Sequence, residues 1–102
     1  MRSISILGST GSIGCNTLKV VEHLGDIRVV AMAAGRNMRR FAEQVAQFKP
    51  ELVSCDDEVC AENLERELHE LGAPSPDIEL DSEGLVAVAT HPEAETVVSA
   101  TV

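Results

Sequence analysis

Apolar positions along the chain recur with two different periods, and the two alternate from the start of the sequence. The stretch 3–7 alternates polar and apolar side chains as a short strand does, and 27–33 is almost continuously apolar, as in a strand buried on both faces. Between such stretches, apolar residues recur at helical spacing. The pattern predicts strands over 3–7, 27–33, 52–55, 78–80 and 96–102. It predicts helices over 13–24, over 38–48, from a cap at Asp56 or Asp57 to a stop at Gly72, and over 82–90.

This alternation repeats roughly every 20–25 residues and predicts successive βαβ units. Parallel strands joined by right-handed helical crossovers form a mainly parallel sheet flanked by helices, so we expect an α/β fold. The sequence stops on a predicted strand, at the sheet edge where the ligand loops of such folds lie. We therefore expect residues 1–102 to be an incomplete domain of a larger protein.

A glycine-spaced turn, Gly8-Ser9-Thr10-Gly11-Ser12-Ile13-Gly14, falls between the first predicted strand and the first predicted helix. Glycines allow a tight turn and a close approach of backbone to a ligand. At a strand-to-helix junction, such a turn directs free N–H groups and the positive end of the helix dipole at a phosphate. The spacing is G-x-x-G-x-x-G rather than G-x-G-x-x-G, so an ordinary tight turn is the alternative. The junction favours nucleotide phosphate binding.

The turn after the second predicted strand decides which nucleotide fits. In dinucleotide-binding folds an acidic residue there binds the ribose 2′-hydroxyl of NAD, whereas a cation accommodates the 2′-phosphate of NADP. No acidic residue occurs between Asp26 and Glu43, while Arg36, Arg39 and Arg40 fall within five positions. A solvated basic patch would explain these arginines alone. Together with the glycine turn one βα unit upstream, they favour NADP, with the planar guanidinium of Arg36 gripping the phosphate.

Composition and charge remove several classes of function. The chain has two Phe and no Trp or Tyr, which argues against binding single-stranded nucleic acid by stacking. No apolar run approaches the roughly 18 residues of a membrane span. The net charge is −9, yet residues 1–50 carry seven Lys/Arg against three Asp/Glu, so anion binding belongs to the first half.

The remaining chemistry-bearing residues indicate neither a metal site nor a catalytic group. Three cysteines without C-x-x-C spacing are typical of reduced cytosolic thiols, and Met1 leads almost directly into the first strand, so a cytoplasmic location is expected. The three histidines are spread over separate elements without ligand spacing, and none is expected to bind metal or transfer protons.

Two segments carry a specific resemblance. Ser5-Ile6-Leu7-Gly8-Ser9-Thr10-Gly11-Ser12-Ile13-Gly14-Cys15-Asn16-Thr17-Leu18, followed by Val29-Val30-Ala31-Met32-Ala33-Ala34-Gly35-Arg36-Asn37, resembles the amino terminus of the 1-deoxy-D-xylulose 5-phosphate reductoisomerases. The resemblance continues with plausible spacing across the rest of the chain, where it is generic.

The resemblance implies a Rossmann-like NAD(P)-binding domain of a homodimeric enzyme of non-mevalonate isoprenoid biosynthesis. That family isomerises a phosphorylated sugar, deoxyxylulose phosphate, and reduces it with NADPH to 2-C-methyl-D-erythritol 4-phosphate, using Mg2+ or Mn2+. It implies that the cofactor is held by Thr10, Gly11, Ser12, Ile13, Gly35, Arg36 and Asn37. It also implies that the metal ligands, substrate contacts and catalytic residues lie beyond Val102, so that the fragment alone is inactive.

Two alternatives remain at this point. One is another NADP-dependent dehydrogenase with a similar glycine turn, of the semialdehyde or atypical short-chain type. The other is a non-catalytic NADPH-binding module. Neither of the dehydrogenase types combines Ser12-Ile13-Gly14-Cys15 with Ala34-Gly35-Arg36-Asn37, and the sequence following Val102 would separate an enzyme from a binding module.

Overall fold

A computed structural model describes residues 2–100 and shows strands and helices in strict alternation. The elements, in chain order, are β1 Arg2–Leu7, α1 Ser12–Leu24, β2 Ile27–Ala33, α2 Met38–Phe48, β3 Leu52–Cys55, α3 Glu58–Glu70, β4 Asp77–Leu80, α4 Asp81–Ala89 and β5 Thr96–Ser99. The alternation predicted from the apolar pattern is confirmed.

All five strands lie in one parallel sheet with the order β4-β3-β2-β1-β5. The chain therefore moves outward from β1 to β4 and then returns across the sheet to place β5 on the other side of β1. The register of β1 against β2 shifts between Ile4 and Ser5, where β2 inserts an extra residue. The predicted Rossmann-like α/β fold with a parallel sheet is confirmed.

Helices cover the two faces of the sheet unequally. The main core lies between one face and α1, α2 and α3, and its largest fully buried side chains include Phe41, Met32 and Leu64. On the opposite face α4 is the one helix within residues 2–100, and its Val88 packs against Ala31 and Ala33. Within residues 2–100, Phe41 is the one fully buried aromatic ring of the core, and the remaining core side chains are aliphatic or sulfur-containing.

The structure sharpens two predicted boundaries and confirms two others. Asp57 rather than Asp56 caps α3, since its carboxylate accepts a hydrogen bond from the Cys60 N–H at 2.9 Å. Helix α2 ends at Phe48, as predicted, and its C-cap Lys49 adopts a left-handed conformation with φ 51° just before Pro50. Helix α3 ends at Glu70 with Leu71 as its C-cap, and Gly72 follows at φ 69°, where the sequence predicted the stop. The last strand ends at Ser99 rather than at 102, Ala100 follows it outside the ladder, and the rest of the predicted strand lies outside the described residues.

Candidate functional site

The first turn is fixed to the neighbouring strand by its backbone. Gly8 adopts φ 80°, a conformation that glycine reaches without steric cost. This conformation lets the N–H groups of Gly8 and Ser9 both donate to the carbonyl of Ala33 at the end of β2, at 2.8 and 3.1 Å. These hydrogen bonds therefore anchor the turn to the carboxyl end of β2.

Gly14 lets helix α1 approach this turn closely. A Cβ built on Gly14 would lie 2.3 Å from the carbonyl oxygen of Gly8 and 2.7 Å from the Cα of Ser9. Both contacts are to backbone, which has little freedom to yield. The third glycine of the turn is thus required by packing between helix and turn, whereas Gly11 has only one neighbour, at 3.7 Å.

The amino terminus of α1 presents unused hydrogen-bond donors. Gly11 is the N-cap and offers no side chain to the helix, and the first turn contains no acidic residue. The N–H of Cys15 donates to the Gly11 carbonyl at 2.8 Å, while within residues 2–100 the N–H groups of Ser12, Ile13 and Gly14 have no acceptor. Three free amides at the positive end of a helix dipole form a site for an anion.

The second turn brings exposed cations beside the first. Asn37 adopts a left-handed conformation, φ 57°, and its side chain accepts a hydrogen bond from the Arg40 N–H at 3.2 Å, which caps α2. The Thr10 hydroxyl donates to the carbonyl of Arg36 at 3.4 Å, so the two turns touch. In the described part of the chain, Arg36 and Arg39 form no ion pair, and both are exposed.

Both turns lie at the carboxyl edge of the sheet, where its connections diverge. From β1 the chain leaves through α1 on one face, whereas its other neighbour β5 is reached through α4 on the opposite face. Open parallel sheets bind ligands at such a switch point, beyond the carboxyl ends of the strands. The structure therefore gathers the seven residues predicted from sequence into one place.

The comparison with known families decides what kind of protein carries this arrangement. The sequence model of 1-deoxy-D-xylulose 5-phosphate reductoisomerase matches residues 4–102. The chain belongs to this family.

Curated reductoisomerases of several organisms share this sequence. The enzyme of Symbiobacterium thermophilum is 47% identical over 103 residues, which is 99% of this chain and 27% of that protein. The chloroplastic enzyme of Mentha piperita is 44% identical over 96% of this chain and 21% of its own length. The chain thus spans about a quarter of the length of the curated reductoisomerases that it matches.

Solved structures share the fold. A reductoisomerase crystallised with NADPH, fosmidomycin and magnesium superposes with a TM-score of 0.86 and 26% identity, over 99% of this chain and 24% of that one. The reductoisomerase of Zymomonas mobilis in complex with NADPH gives a TM-score of 0.77 and 28% identity over 90% of this chain and 24% of that one.

One residue of this reductoisomerase-family site was not predicted from sequence. Gln44 of α2 is 8% exposed, and its Nε2 donates to the Ser9 carbonyl at 2.8 Å and approaches the Cys15 sulfur at 3.6 Å. Arg40 also reaches that sulfur, at 3.7 Å. Gln44 follows Phe41 by three positions and therefore lies on the buried face of the helix, so a polar residue at that spacing was the available signal.

The thiols near the second turn are held neutral. Burial raises the pKa of Cys55 to about 11, and the nearby Cys60 and acidic side chains add to the effect. Burial and a hydrogen bond from the Cys60 thiol to Asp57 likewise raise the pKa of Cys60, whose sulfur lies 3.8 Å from the Gly35 carbonyl. These cysteines therefore act in packing rather than as nucleophiles at neutral pH.

A second polar cluster lies at the opposite edge of the sheet. His91 Nε2 is 3.3 Å from Glu51, which also pairs with Arg28 at 3.2 Å, and the Glu93 N–H donates to His91 Nδ1 at 3.1 Å. A hydrogen bond with Glu93 and the contact with the Arg28 guanidinium hold the pKa of Glu51 below its usual value. Three ligand-type side chains thus lie within 4.8 Å of one another.

The polar groups of that cluster form hydrogen bonds and ion pairs with one another. His91 Nδ1 accepts a hydrogen bond from the Glu93 N–H and Nε2 is directed at Glu51, so both ring nitrogens are engaged within the cluster. Its groups connect the starts of β2 and β3 to the segment before β5. None of the helices within residues 2–100 is long and apolar enough to cross a membrane.

Proposed function

We propose that this chain is the NADPH-binding part of a 1-deoxy-D-xylulose 5-phosphate reductoisomerase. One observation supports it most strongly: free helix-terminal amides and unpaired arginines lie on two turns that touch through Thr10 and Arg36. One turn alone would fit many phosphates. The two together match a ligand that carries a pyrophosphate and, separately, a phosphate on a ribose.

Each turn binds a different part of the cofactor. The amides of Ser12 and Ile13, with Thr10 and Gly11 shaping the approach, bind the pyrophosphate. Gly35, Arg36 and Asn37 bind the adenosine 2′-phosphate, and the guanidinium of Arg36 supplies a bidentate contact. The close contact of Gly14 with Gly8 supports this fit, since it holds the amino terminus of α1 directly against the turn. Bound NADPH supplies hydride, and residues 2–100 position it.

The remainder of the activity belongs to the whole protein, and it forms part of this proposal. A homodimer in the cytoplasm isomerises and reduces deoxyxylulose phosphate to 2-C-methyl-D-erythritol 4-phosphate, with Mg2+ or Mn2+ held outside residues 1–102. The names of the relatives and the magnesium and fosmidomycin of the related crystal structure support the reaction. Residues 1–102 would then be an incomplete domain without catalytic or metal-binding residues. Membership in the family disfavours both alternative functions.

Binding measurements on the 102-residue chain test the cofactor assignment. Circular dichroism first establishes that the chain is folded, and NADPH and NADH are then titrated by fluorescence. We expect saturable NADPH binding, competed by 2′,5′-ADP more effectively than by 5′-AMP. A folded chain that binds neither dinucleotide at millimolar concentration, or that binds both equally, would contradict the proposal.

A further inference from the structure

A cavity of about 390 Å3 opens between α1 and α2. Its volume falls in the range of about 300–1,000 Å3 that is typical of small-molecule sites. None of the side chains that line it is among the seven residues assigned to the cofactor. The lining includes two cations, two carboxylates, an amide and a thiol, from Lys19, Arg40, Glu22, Glu43, Gln44 and Cys15.

The side-chain amide in this lining has an unsatisfied oxygen. Gln44 is 8% exposed, and its Nε2 donates to the Ser9 carbonyl and to the Cys15 sulfur. Within residues 2–100, its buried Oε1 accepts no hydrogen bond. A buried acceptor without a donor is costly, so this oxygen indicates a ligand that brings an N–H group into the cavity.

The thiol in the lining is the nucleophilic group of the cavity. Cys15 is half-buried, so a molecule in the cavity can reach its sulfur. Arg40 Nη1 donates to this sulfur at 3.7 Å, and Gln44 Nε2 donates at 3.6 Å. The anionic form of a thiol attacks disulfides, and the guanidinium supplies a positive charge beside the attacking atom.

The other two cysteines lack this combination. Cys55 is 3% exposed, and burial raises the pKa of its thiol to about 11. Burial also raises the pKa of Cys60, and the neighbouring carboxylates of Asp57 and Asp56 disfavour an anionic sulfur there. Among the three thiols, the structure therefore favours Cys15 for disulfide exchange.

The charges of the cavity indicate which disulfide fits. Lys19 and Arg40 attract carboxylates, while Glu22 and Glu43 attract an ammonium group, and within residues 2–100 none of these four forms an ion pair. The free oxygen of Gln44 fits a peptide N–H. A small zwitterionic peptide disulfide carries all three kinds of group, and oxidised glutathione is a molecule of this class.

We propose that Cys15 is a modification site that exchanges with a small zwitterionic peptide disulfide bound in this cavity. The Cys15 sulfur attacks one sulfur of the disulfide, the original S–S bond breaks, and a mixed disulfide forms at Cys15. The other half leaves as a free thiol and takes up the proton that Cys15 loses. The incoming disulfide is thereby reduced as Cys15 is oxidised, and no further oxidant is needed.

The adduct would lie against the first turn of the cofactor site. The Cys15 thiol donates to the Ser9 and Thr10 carbonyls at 3.7 and 3.6 Å, and a mixed disulfide has no thiol hydrogen to donate. The glycine turn must then shift, and NADPH binding should weaken. This part of the inference rests on the proposed function. By linkage, bound NADPH must oppose the modification by the same factor.

The first test incubates the folded 102-residue chain with oxidised glutathione and follows its intact mass. We expect one adduct, which peptide mapping places at Cys15 and dithiothreitol removes. Cys60→Ser and Cys55→Ser are the matched controls and should be modified like the unchanged chain, whereas Cys15→Ser should not. No adduct, or an adduct at Cys60 or Cys55 instead, overturns the proposal.

A second measurement tests recognition by the cavity. The rate of modification should saturate with oxidised glutathione, and it should exceed the rate with the uncharged 2-hydroxyethyl disulfide by about tenfold or more. Lys19→Glu reverses one charge of the cavity without touching the thiol and should reduce this preference. Equal rates with both disulfides would show that the cavity does not select the reagent.

NADPH titration before and after modification tests the effect on the cofactor. The adduct should weaken NADPH binding by about tenfold or more, and saturating NADPH should slow the modification. Equal NADPH affinity with and without the adduct overturns the link to the cofactor turn. A folded chain that is modified at Cys15 but binds no NADPH overturns the proposed function and leaves the modification site intact.

Discussion

The two turns at the carboxyl edge of the sheet are built in opposite ways. The first is internal: Ser9 is fully buried, and the turn is held by hydrogen bonds to Ala33 and from Gln44. The second is external: Arg36 and Asn37 are exposed, and within residues 2–100 the Arg36 guanidinium forms no ion pair. Buried backbone fixes one half of the site, and exposed side chains form the other.

This difference separates affinity from specificity. Backbone amides on a fixed helix terminus bind any phosphate of suitable shape, so the first turn should serve NADPH and NADH alike. The Arg36 guanidinium meets a group that only NADPH carries. Substitutions in the first turn should therefore weaken the binding of both dinucleotides. Substitutions in the second turn should change the ratio of NADPH affinity to NADH affinity.

The largest effect is expected for Gly14→Ala. Its Cβ would lie 2.3 Å from the Gly8 carbonyl, so helix and turn must separate, at a cost of about 3 kcal/mol in the free energy of unfolding. Urea unfolding measures this loss, and binding of both dinucleotides should fall together. Gly11→Ala is the matched control, with its nearest neighbour at 3.7 Å, and should cost less than about 1 kcal/mol. Equal stabilities of the two variants would contradict the packing argument.

Next in size is Arg36→Asp. Loss of a bidentate contact and gain of a like charge should weaken NADPH binding by about 100-fold, while NADH binding changes by less than about threefold. Fluorescence titration of both cofactors gives the ratio. Arg39→Asp makes the same charge change on an exposed neighbour and should alter the ratio only slightly. Equal losses for both dinucleotides after Arg36→Asp would show that Arg36 does not read the 2′-phosphate.

Gln44→Leu should have a smaller effect on the first turn. It removes the amide donor of the buried Ser9 carbonyl and leaves only the weak Cys15 thiol donor at 3.7 Å, which costs about 1–3 kcal/mol of stability. Dinucleotide affinity should decline without a change in the NADPH to NADH ratio. Gln47→Leu on the same helix removes only an exposed contact with Glu22 and should be nearly neutral. A shift in cofactor ratio after Gln44→Leu would mean that Gln44 acts on the second turn as well.

The smallest effect is expected for Asn37→Gly. Glycine tolerates φ 57° but removes the acceptor of the Arg40 N–H, so α2 loses its cap at a cost below about 1 kcal/mol. Thermal unfolding detects the loss. Asn37→Asp keeps an acceptor and tolerates the backbone conformation, so it should preserve stability while weakening NADPH binding beside Arg36. A stability loss in the aspartate variant equal to that in the glycine variant would exclude the capping role.

Sequence reasoning succeeded where local chemistry decides the outcome. The role of Gly8 follows from a turn that requires positive φ, and the alternation of periods predicts each strand and helix. It failed where tertiary neighbours decide. Asp56 and Asp57 are equivalent as caps in sequence, and only the orientation of the chain leaving β3 selects Asp57. In sequence, Gln44 is indistinguishable from other polar residues of an amphipathic helix. Its contact with the glycine turn is visible only in the folded structure.

The strand order also has a consequence for folding. Leu7 pairs with Ser99, and its carbonyl accepts a hydrogen bond from the Ala100 N–H at 2.8 Å, so β1 pairs with a segment about 90 residues away in the chain. During synthesis the glycine turn emerges well before β5, so one side of the strand that carries it stays unpaired until residues 96–99 have left the ribosome. Pairing of such distant segments is slow, and the open edge of β1 is exposed to association with other chains in the meantime.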